Sequence, residues 1–154
     1  MTVAEPRDSA QRKADTLAKL RTPEIDVWVA TASASGDGAQ PYLVPLSLAW
    51  IDERVVIAVE PSSRTARNIA ETGTARLALG PTRDVVMIDA VLERVAETDD
   101  GAIAERYAAQ ADWDPRNAGG GYVFVVLRPH RIQAWRESNE IAGRTLMRDG
   151  AWLV

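Results

Sequence analysis

The sequence contains no cysteine and a single histidine, His130, among its 154 residues. Without cysteine the chain forms no disulfide and offers no thiolate for catalysis or for metal binding. Because a zinc or iron site needs three or four converging ligands, we expect no metal centre in this protein. One histidine also gives no serine–histidine arrangement for nucleophilic catalysis, so the sequence identifies no catalytic residue.

Long apolar runs and an excess of basic charge are missing as well. No stretch approaches the roughly 18 apolar residues of a membrane span, and the first residues are polar rather than signal-like. We therefore expect a cytoplasmic protein that does not bind membranes. The formal net charge of −4 gives no basic surface of the kind that nucleic acid requires. Neither a Walker A sequence nor a Gly-x-Gly-x-x-Gly segment after a strand is present, which argues against nucleoside triphosphates and Rossmann-bound dinucleotides.

Short apolar runs bounded by turn residues predict a mainly β chain with two or three short helices. We place strands at Val27–Thr31, Pro41–Trp50, Val55–Glu60, Ala75–Leu79, Asp84–Val95, Tyr122–Leu127 and Arg131–Arg136, with Pro129 interrupting the last two and a hairpin at Asp149-Gly150. Helices are expected at Asp8–Leu20 (within an N-terminal segment 1–22), from Ser62 or Ser63 to about Thr72, and from Thr98 or Asp99 to about Ala111. Tight turns such as Ser35–Gly38 predict an antiparallel sheet that closes into a barrel, in one domain of residues 1–154.

The segment Ser62–Ile69 directly follows an apolar strand and begins a helix. The first N–H groups of a helix lack partners and carry partial positive charge, so an anion is stabilised there. Arg64 and Arg67 stand at i and i+3, and Arg64 and Asn68 at i and i+4, so their side chains share one face. These residues indicate either a phosphate site or an ordinary serine N-cap with solvated arginines.

Two further residues each have two interpretations. Pro45 lies inside the predicted strand Pro41–Trp50, where it cannot donate to a sheet ladder. It indicates either an edge strand or a flat ligand lying along the backbone of Leu46 and Ser47. Trp135 is typical of a core or of a dimer interface, and it could also line a cofactor.

Together these stretches resemble the pyridoxamine 5′-phosphate oxidase-like family of flavin-binding split barrels, over roughly residues 27–152. The most specific part is Ser63-Arg64-Thr65-Ala66-Arg67-Asn68-Ile69, which is similar to the family segment Ser-Arg-Lys-x-Arg-(Gln/Asn)-(Leu/Ile) that grips the flavin phosphate. Pro41–Trp50 is similar to the strand along the isoalloxazine ring, and its pattern resembles the actinobacterial flavin or deazaflavin branch. Pro129–Trp135 is similar to the family's Pro-x-x-Ile-x-x-Trp strand.

The resemblance implies an antiparallel six-stranded split β-barrel of Greek-key type. It also implies a homodimer with two cofactor sites at the subunit interface, holding FMN or 8-hydroxy-5-deazaflavin (coenzyme F-420). Val85 and Val86 match the strand that meets the flavin from the second subunit. The cofactor contacts that the resemblance implies are Pro45, Leu46, Ser47, Val59, Ser63, Arg64, Thr65, Arg67, Asn68, Val85, Val86, Trp135 and Arg144.

Two departures from the family pattern bear on function. Thr65 stands where the family has a lysine, which lowers the local positive charge and leaves Arg64, the hydroxyls and the helix N-terminus to hold the phosphate. The segment Glu137–Gly143 lacks the Arg-x-His substrate motif of true pyridoxamine phosphate oxidases. We therefore expect a flavin-type cofactor but not the vitamin B6 reaction.

The function that follows is an oxidoreductase that moves a hydride between bound FMN or coenzyme F-420 and a small organic substrate. The alternative is a non-catalytic protein that stores or senses a flavin in the same pocket. The long acidic tail of the deazaflavin would need a basic groove, for which Arg67, Arg131 and Arg136 are candidates.

Overall fold

The protein is described by a computed structural model that covers residues 2–34 and 36–154. This part of the chain contains three α-helices, α1 (Ser9–Leu20), α2 (Arg64–Thr72) and α3 (Gly101–Ala111), and 3-10 turns at Pro115–Asn117 and Ser138–Glu140. Its nine strands are β1 (Asp26–Ser33), β2 (Gln40–Ser47), β3 (Ala49–Ile51), β4 (Arg54–Val59), β5 (Thr74–Leu79), β6 (Val85–Glu97), β7 (Val123–Trp135), β8 (Thr145–Arg148) and β9 (Ala151–Trp152). The longest of these α-helices has 12 residues, and none is long and apolar enough to cross a membrane.

The mainly β antiparallel fold with two or three short helices is confirmed, and the described residues form nine strands where six were expected. Two of the additional strands are β8 and β9, which make the hairpin that the sequence predicts at Asp149-Gly150. Both turn residues have positive φ, 52° and 78°, as a two-residue type I′ turn requires. The predicted turn at Ser35–Gly38 lies partly outside the described residues, which do not include Ser35.

The expected interruption at Pro129 is also wrong, since β7 continues unbroken through this residue. Asp89 of β6 pairs with Arg131, and Ala90 pairs with Pro129, so His130 is an extra residue on β7. A bulge of this kind accommodates a proline inside a strand without ending the strand.

The helix ends follow local sequence signals. Asp8 caps α1 by accepting a hydrogen bond from the Gln11 N–H at 2.8 Å, and Ser63 caps α2 as expected. The N-cap of α3 is Asp100, one or two residues later than the expected Thr98 or Asp99. All three are short polar side chains whose oxygen replaces a missing backbone acceptor.

The strands form one antiparallel sheet in the order β2-β1-β5-β6-β7-β4-β3, with β8 and β9 attached to β7. Only the buried Leu48 separates the end of β2 from the start of β3. One kinked strand therefore belongs to both ends of the sheet, and the chain itself closes the barrel. β4 connects through α2 to β5 and lies beside β7, the last strand of the β5–β6–β7 meander, which is a Greek-key arrangement.

The barrel is split between β2 and β4. β2 pairs only with β1, so it is an edge strand, as one of the two interpretations of Pro45 expects. Within the described residues no ladder joins β2 to β4. The kink at Leu48 thus leaves a gap in the wall, and this gap is bordered by the strand that carries Pro45.

Two apolar layers explain why β4 is apolar at almost every position. Val55 and Ile57 point into the barrel core, while Val56 and Ala58 pack on the opposite side of the sheet in the layer that includes α3. A strand with both faces buried has no polar alternation. The continuous run therefore reflects α3 covering the outside of the barrel at this point.

The N-terminal segment is fastened to the loop after β7 by a buried ion pair. The Arg7 guanidinium donates to the Glu140 carboxylate from Nε (3.0 Å to Oε1) and from Nη2 (2.7 Å to Oε2). The Arg7 backbone N–H donates to the same Oε1 at 2.9 Å. The two side chains have only 7% and 2% of their surface exposed. We refer to Arg7, Arg12 and Glu140 as the Arg7 clamp.

The Arg7 clamp predicts how stability changes in acid. The hydrogen bond from Arg7 is the main reason that the pKa of Glu140 is lowered from 4.5 to about 2. The ionised carboxylate therefore stabilises the folded state above pH 4.5, and this contribution is lost as the pH falls towards about 2. Glu140→Gln should remove this contribution. In urea unfolding, the free energy of unfolding of the wild type should therefore fall by about 1–3 kcal/mol more than that of the variant between neutral pH and about pH 3.

The matched control is Glu137→Gln, the same change three residues away. Glu137 pairs with Arg83 on the surface, so its loss should change the free energy of unfolding by less than about 1 kcal/mol at any pH. An identical acid dependence of the wild type and Glu140→Gln would show that Glu140 carries none of the acid sensitivity.

Candidate functional site

The candidate site is built around the N-terminus of α2. The Ser63 Oγ accepts a hydrogen bond from the Ala66 N–H at 3.2 Å, and the Ser63 carbonyl accepts one from the Arg67 N–H at 3.0 Å. The Arg64 and Thr65 N–H groups have no hydrogen-bond partner within residues 2–34 and 36–154. Two free amides at the positive end of a helix are suited to bind an anion.

An apolar cavity of about 360 Å³ lies in the split of the barrel; we call it the β2–β4 cavity. Its walls come from β2, from the end of β4, from the start of α2 and from the loop before β7. The lining residues are Tyr42, Val44, Pro45, Leu46, Ala58, Val59, Glu60, Ser63, Thr65 and Tyr122. Five residues that the sequence assigns to a cofactor, Pro45, Leu46, Val59, Ser63 and Thr65, therefore meet in one place.

A second, polar cavity of about 350 Å³ lies beside α2; we call it the arginine cleft. It is lined by one face of α2 and by the facing ends of β1 and β2: Arg64, Arg67, Asn68, Glu71, Ser33 and Gln40. The four helical residues stand at i, i+3, i+4 and i+7, the spacing of a single helix face. Among the described residues, neither Arg64 nor Arg67 forms a salt bridge, so both charges are available to a ligand.

Arg64 joins the two cavities. Its guanidinium carbon lies 5.3 Å from the centre of the Tyr42 ring, a cation–π distance. Tyr42 lines the β2–β4 cavity, whereas Arg64 lines the arginine cleft. An anion at the α2 amides would thus have the apolar cavity on one side and the cleft on the other.

Asn68 and Thr65 are more buried than the sequence suggests. The Asn68 Nδ2 donates to the Thr31 Oγ1 at 3.1 Å, and this bond holds α2 against β1. Asn68 therefore has a structural role as well as a place in the cleft wall. Thr65 is buried against the β2–β4 cavity, and it brings a hydroxyl and a methyl group there instead of an ammonium.

Ser47 is not among the residues that line either cavity. Its carbonyl accepts a hydrogen bond from the buried Tyr107 hydroxyl of α3 at 3.3 Å. Burial raises the pKa of Tyr107, which keeps this hydroxyl protonated. Ser47 therefore anchors the end of β2 to α3.

The remaining assigned residues form a separate group at the other end of β7. Val85 pairs with Trp135, and the Arg144 guanidinium carbon lies 5.6 Å from the centre of the Trp135 ring. Val86 is fully buried in the barrel core, so its side chain is not available to a ligand of this chain.

Strand pairing gives the separation between the two groups. One row of paired residues crosses the sheet: Pro45, Trp28, Ala78, Met87 and Gln133. Four steps of about 4.8 Å give a path of roughly 20 Å along the curved sheet from Pro45 to Gln133, and Trp135 lies two residues farther along β7. Neither Trp135 nor Arg144 is among the residues that line the β2–β4 cavity of the single chain.

Several lining residues were not identified from the sequence as cofactor contacts. Tyr42 alternates with Pro41 and Leu43, which places its side chain on the inner face of β2 once the strand is assigned. Tyr122 is held by an edge-to-face contact with Trp113, with ring centres 5.2 Å apart, at the two ends of the glycine-rich loop. Gln40 and Glu60 carry no local signal, because their place at a cavity depends on how distant strands meet.

Comparison with known proteins agrees with this architecture. A family model described as pyridoxamine 5′-phosphate oxidase matches residues 15–136 of the chain. The solved structures with a similar fold include an F-420 reductase, with 18% identity, a TM-score of 0.61, and 75% of this chain and 93% of that chain covered. They also include an FMN-binding protein from Syntrophomonas wolfei subsp. wolfei, with 18% identity, a TM-score of 0.60, and coverage of 81% and 89%.

A heme-binding protein from Mycobacterium smegmatis has the same fold, with 19% identity and a TM-score of 0.62, and it covers 96% of this chain and 60% of its own. At such identities these likenesses concern the fold alone. No curated protein matches the chain in sequence.

Proposed function

The chain belongs to the pyridoxamine 5′-phosphate oxidase family, and from this premise we propose that it is an oxidoreductase with a flavin-type cofactor, FMN or 8-hydroxy-5-deazaflavin (coenzyme F-420). When bound, such a cofactor exchanges a hydride with a small organic substrate. The observation that carries the proposal is the β2–β4 cavity, whose apolar walls end at the two free amides of α2 and at Arg64.

The residues of the cavity fit such a group. Val44, Pro45 and Leu46 on one side and Ala58 and Val59 on the other give apolar walls suited to a flat aromatic ring. A volume of about 360 Å³ is within the usual range of ligand pockets, roughly 300–1,000 Å³. The apolar walls exclude water, and the α2 amides with the Arg64 guanidinium would hold a phosphate.

The loop after β7 supports a reaction other than that of vitamin B6. The segment Glu137–Gly143 contains neither arginine nor histidine. Its buried carboxylate, Glu140, is engaged by Arg7 and by the Arg136 N–H at 2.8 Å. This segment thus offers no positive side chain to a pyridoxal phosphate.

The arginine cleft favours a cofactor with an acidic extension beyond its first phosphate. Among the described residues Arg64 and Arg67 form no salt bridge, and the cleft that they line holds one carboxylate, Glu71. Arg136, a second candidate for the tail, already contacts Asp84 at 3.4 Å and Asp15 at 3.8 Å. Of the candidates for the deazaflavin tail, Arg67 is therefore the one next to the cofactor cavity.

We predict that Arg64→Ala weakens binding of both FMN and the deazaflavin by about 1.5–3 kcal/mol, or roughly 10- to 150-fold in Kd, because a charge-assisted hydrogen bond is lost. Absorbance or fluorescence titration of the purified protein measures the constants. Arg21→Ala, which removes an exposed arginine at the end of α1, is the control and should leave them unchanged.

Arg67→Ala separates the two cofactors. If the cleft holds an acidic tail, this variant loses affinity for the deazaflavin and keeps its affinity for FMN. If Arg64→Ala binds both cofactors as tightly as the wild type does, the phosphate anchor lies elsewhere. If the wild-type protein binds neither cofactor, the proposed function is overturned.

The second candidate function is a non-catalytic flavin-binding protein for storage or sensing. The observation that favours it is Thr65, which brings no ammonium to the cavity. For the oxidoreductase we expect multiple turnovers when protein, reduced cofactor and a panel of quinones and enones are mixed, followed by the rise in absorbance as the cofactor is oxidised. Tight cofactor binding without turnover across the panel would favour the storage or sensing protein.

We also propose that two copies of the chain complete the site as a homodimer. The outer face of β1 and β2 carries Trp28 and Leu43, which are 51% and 58% exposed. Exposed apolar faces of this kind typically mark interfaces. The row from Pro45 to Gln133 lies on this face, since paired residues share a side of the sheet.

The same row explains how a dimer would join the two residue groups. A two-fold axis that runs parallel to the strands places the second copy's row opposite the first, with its direction from Pro45 to Gln133 reversed. The end that carries Trp135 and Arg144 in one copy then faces the end that carries Pro45 in the other. The cofactor cavity of each copy would be completed by the other copy.

We predict that Trp28→Glu converts the protein from a dimer to a monomer of 16.8 kDa, because a buried, unpaired carboxylate disfavours the interface. Light scattering after size-exclusion chromatography measures the mass. Cofactor affinity should fall with the loss of the dimer. Val95→Glu is the control, because Val95 is equally exposed (52%) but lies on β6 outside this row, and it should leave the mass unchanged. A wild-type protein that is monomeric with cofactor bound would contradict the composite site.

A further inference from the structure

We infer that the Arg7 clamp positions Trp135 and Arg144, so that the N-terminal segment is a working part of the site. The inference rests on the proposed function in one respect, the role of Trp135 and Arg144 in the second half of the cofactor site. The clamp itself is defined by contacts in the chain. Arg7 and Glu140 are thus positioning residues, which act by holding Trp135 and Arg144 in place.

The Glu140 carboxylate fixes the start of the loop after β7. Its Oε2 accepts hydrogen bonds from the Arg7 Nη2 at 2.7 Å and from the Arg136 N–H at 2.8 Å. Arg136 directly follows Trp135, so one carboxylate oxygen ties the residue after the tryptophan to the N-terminal segment. A buried carboxylate with four hydrogen bonds holds its neighbours in one geometry.

Arg12 fixes the end of the same loop. Its Nη1 donates to the Glu140 carbonyl at 3.2 Å and to the Gly143 carbonyl at 3.1 Å, and its Nε donates to the Arg7 carbonyl at 3.1 Å. Gly143 directly precedes Arg144. The clamp therefore holds the chain immediately beside both members of the Trp135–Arg144 pair.

Between these fixed points the pair has a defined geometry. The Ala134 N–H donates to the Arg144 carbonyl at 3.0 Å, and the Arg144 guanidinium lies over the Trp135 ring. Nothing else in the described chain pairs with the Arg144 guanidinium except the Ile141 carbonyl at 3.4 Å. The orientation of Arg144 thus depends on a loop whose two ends are set by residues of the N-terminal segment.

The clamp lies outside the part of the chain that the family model matches. The family model matches residues 15–136, and Arg7, Arg12 and Glu140 all lie outside that range. A buried ion pair is also a costly way to fasten a loop, because each charge must be desolvated and breaking one partner leaves the other uncompensated. A switch between two loop positions is therefore disfavoured, and the contact is suited to holding a single arrangement.

The test compares Glu140→Gln with its matched control Glu137→Gln in the full-length protein labelled with 5-fluorotryptophan. The sequence contains five tryptophans, and the fluorine resonance of Trp135 is the one that disappears in Trp135→Phe. We expect Glu140→Gln to shift or broaden the Trp135 resonance without cofactor and to leave the Trp28 resonance unchanged. Titration with FMN and with the deazaflavin should then give a Kd about tenfold higher, the lower end of the effect of residues that orient a ligand-binding group. Glu137→Gln should change neither quantity.

The outcomes separate the two proposals. An unchanged Trp135 resonance in Glu140→Gln overturns the positioning role, and so does a changed resonance with an unchanged Kd. A wild-type protein that binds neither cofactor overturns the proposed function, while the fluorine spectrum still decides whether the clamp sets the Trp135 environment. If Glu140→Gln does not fold, Arg7→Lys replaces it, since it keeps the charge and removes the two-pronged contact; a wild-type spectrum and Kd in Arg7→Lys also overturn the inference.

Discussion

The kink at Leu48 is the constraint on which the rest of the structure depends. Leu48 is fully buried, and its N–H donates to the Ile25 carbonyl at 3.3 Å, outside the ladders of β2 and β3. Because the strand changes neighbours there, β2 stays with β1 while β3 joins β4. The edge of β2 that faces the resulting split forms no ladder hydrogen bonds, so Pro41 and Pro45 are tolerated in this strand. The same split forms the β2–β4 cavity.

The start of α2 then divides this region by chemistry. A helix turns by about 100° per residue, so neighbours in sequence face different surroundings. Ser63 and Thr65 line the apolar cavity, and Arg64 and Arg67 line the polar cleft. The free amides lie between them. An anion bound there would contact the backbone N–H groups next to the apolar cavity wall, and the guanidinium groups would approach it from the cleft. Such an arrangement would hold a phosphate without burying an arginine.

The sequence predicts those features that depend on a few neighbouring residues. The Ser63 cap, the hairpin at Asp149-Gly150 and the strand β4 all follow from local residue types. The strand break at Leu48 carries no local signal, since it is set by which distant strand pairs on either side. The bulge at His130 has a local signal in Pro129, but that signal does not distinguish a bulge from the end of the strand. The clamp is the extreme case, because Arg7 and Glu140 are 133 residues apart. For the site, the helix start was predictable, but its division between two cavities required the packing of α2 on β1 and β2.

Charge distribution links the clamp to the candidate site. The chain has a net charge of −4, and many of its acidic groups form ion pairs with partners such as Arg7, Arg76, Arg83 and Arg116. Within the described chain, Arg64 and Arg67 form no salt bridge, and the acidic group that shares their cleft is Glu71. Positive side chains outnumber acidic ones in this cleft although the protein as a whole is acidic, and local fields rather than net charge decide where a small anion binds. With many carboxylates paired elsewhere in the fold, Arg64 and Arg67 remain available beside the free amides at the start of α2.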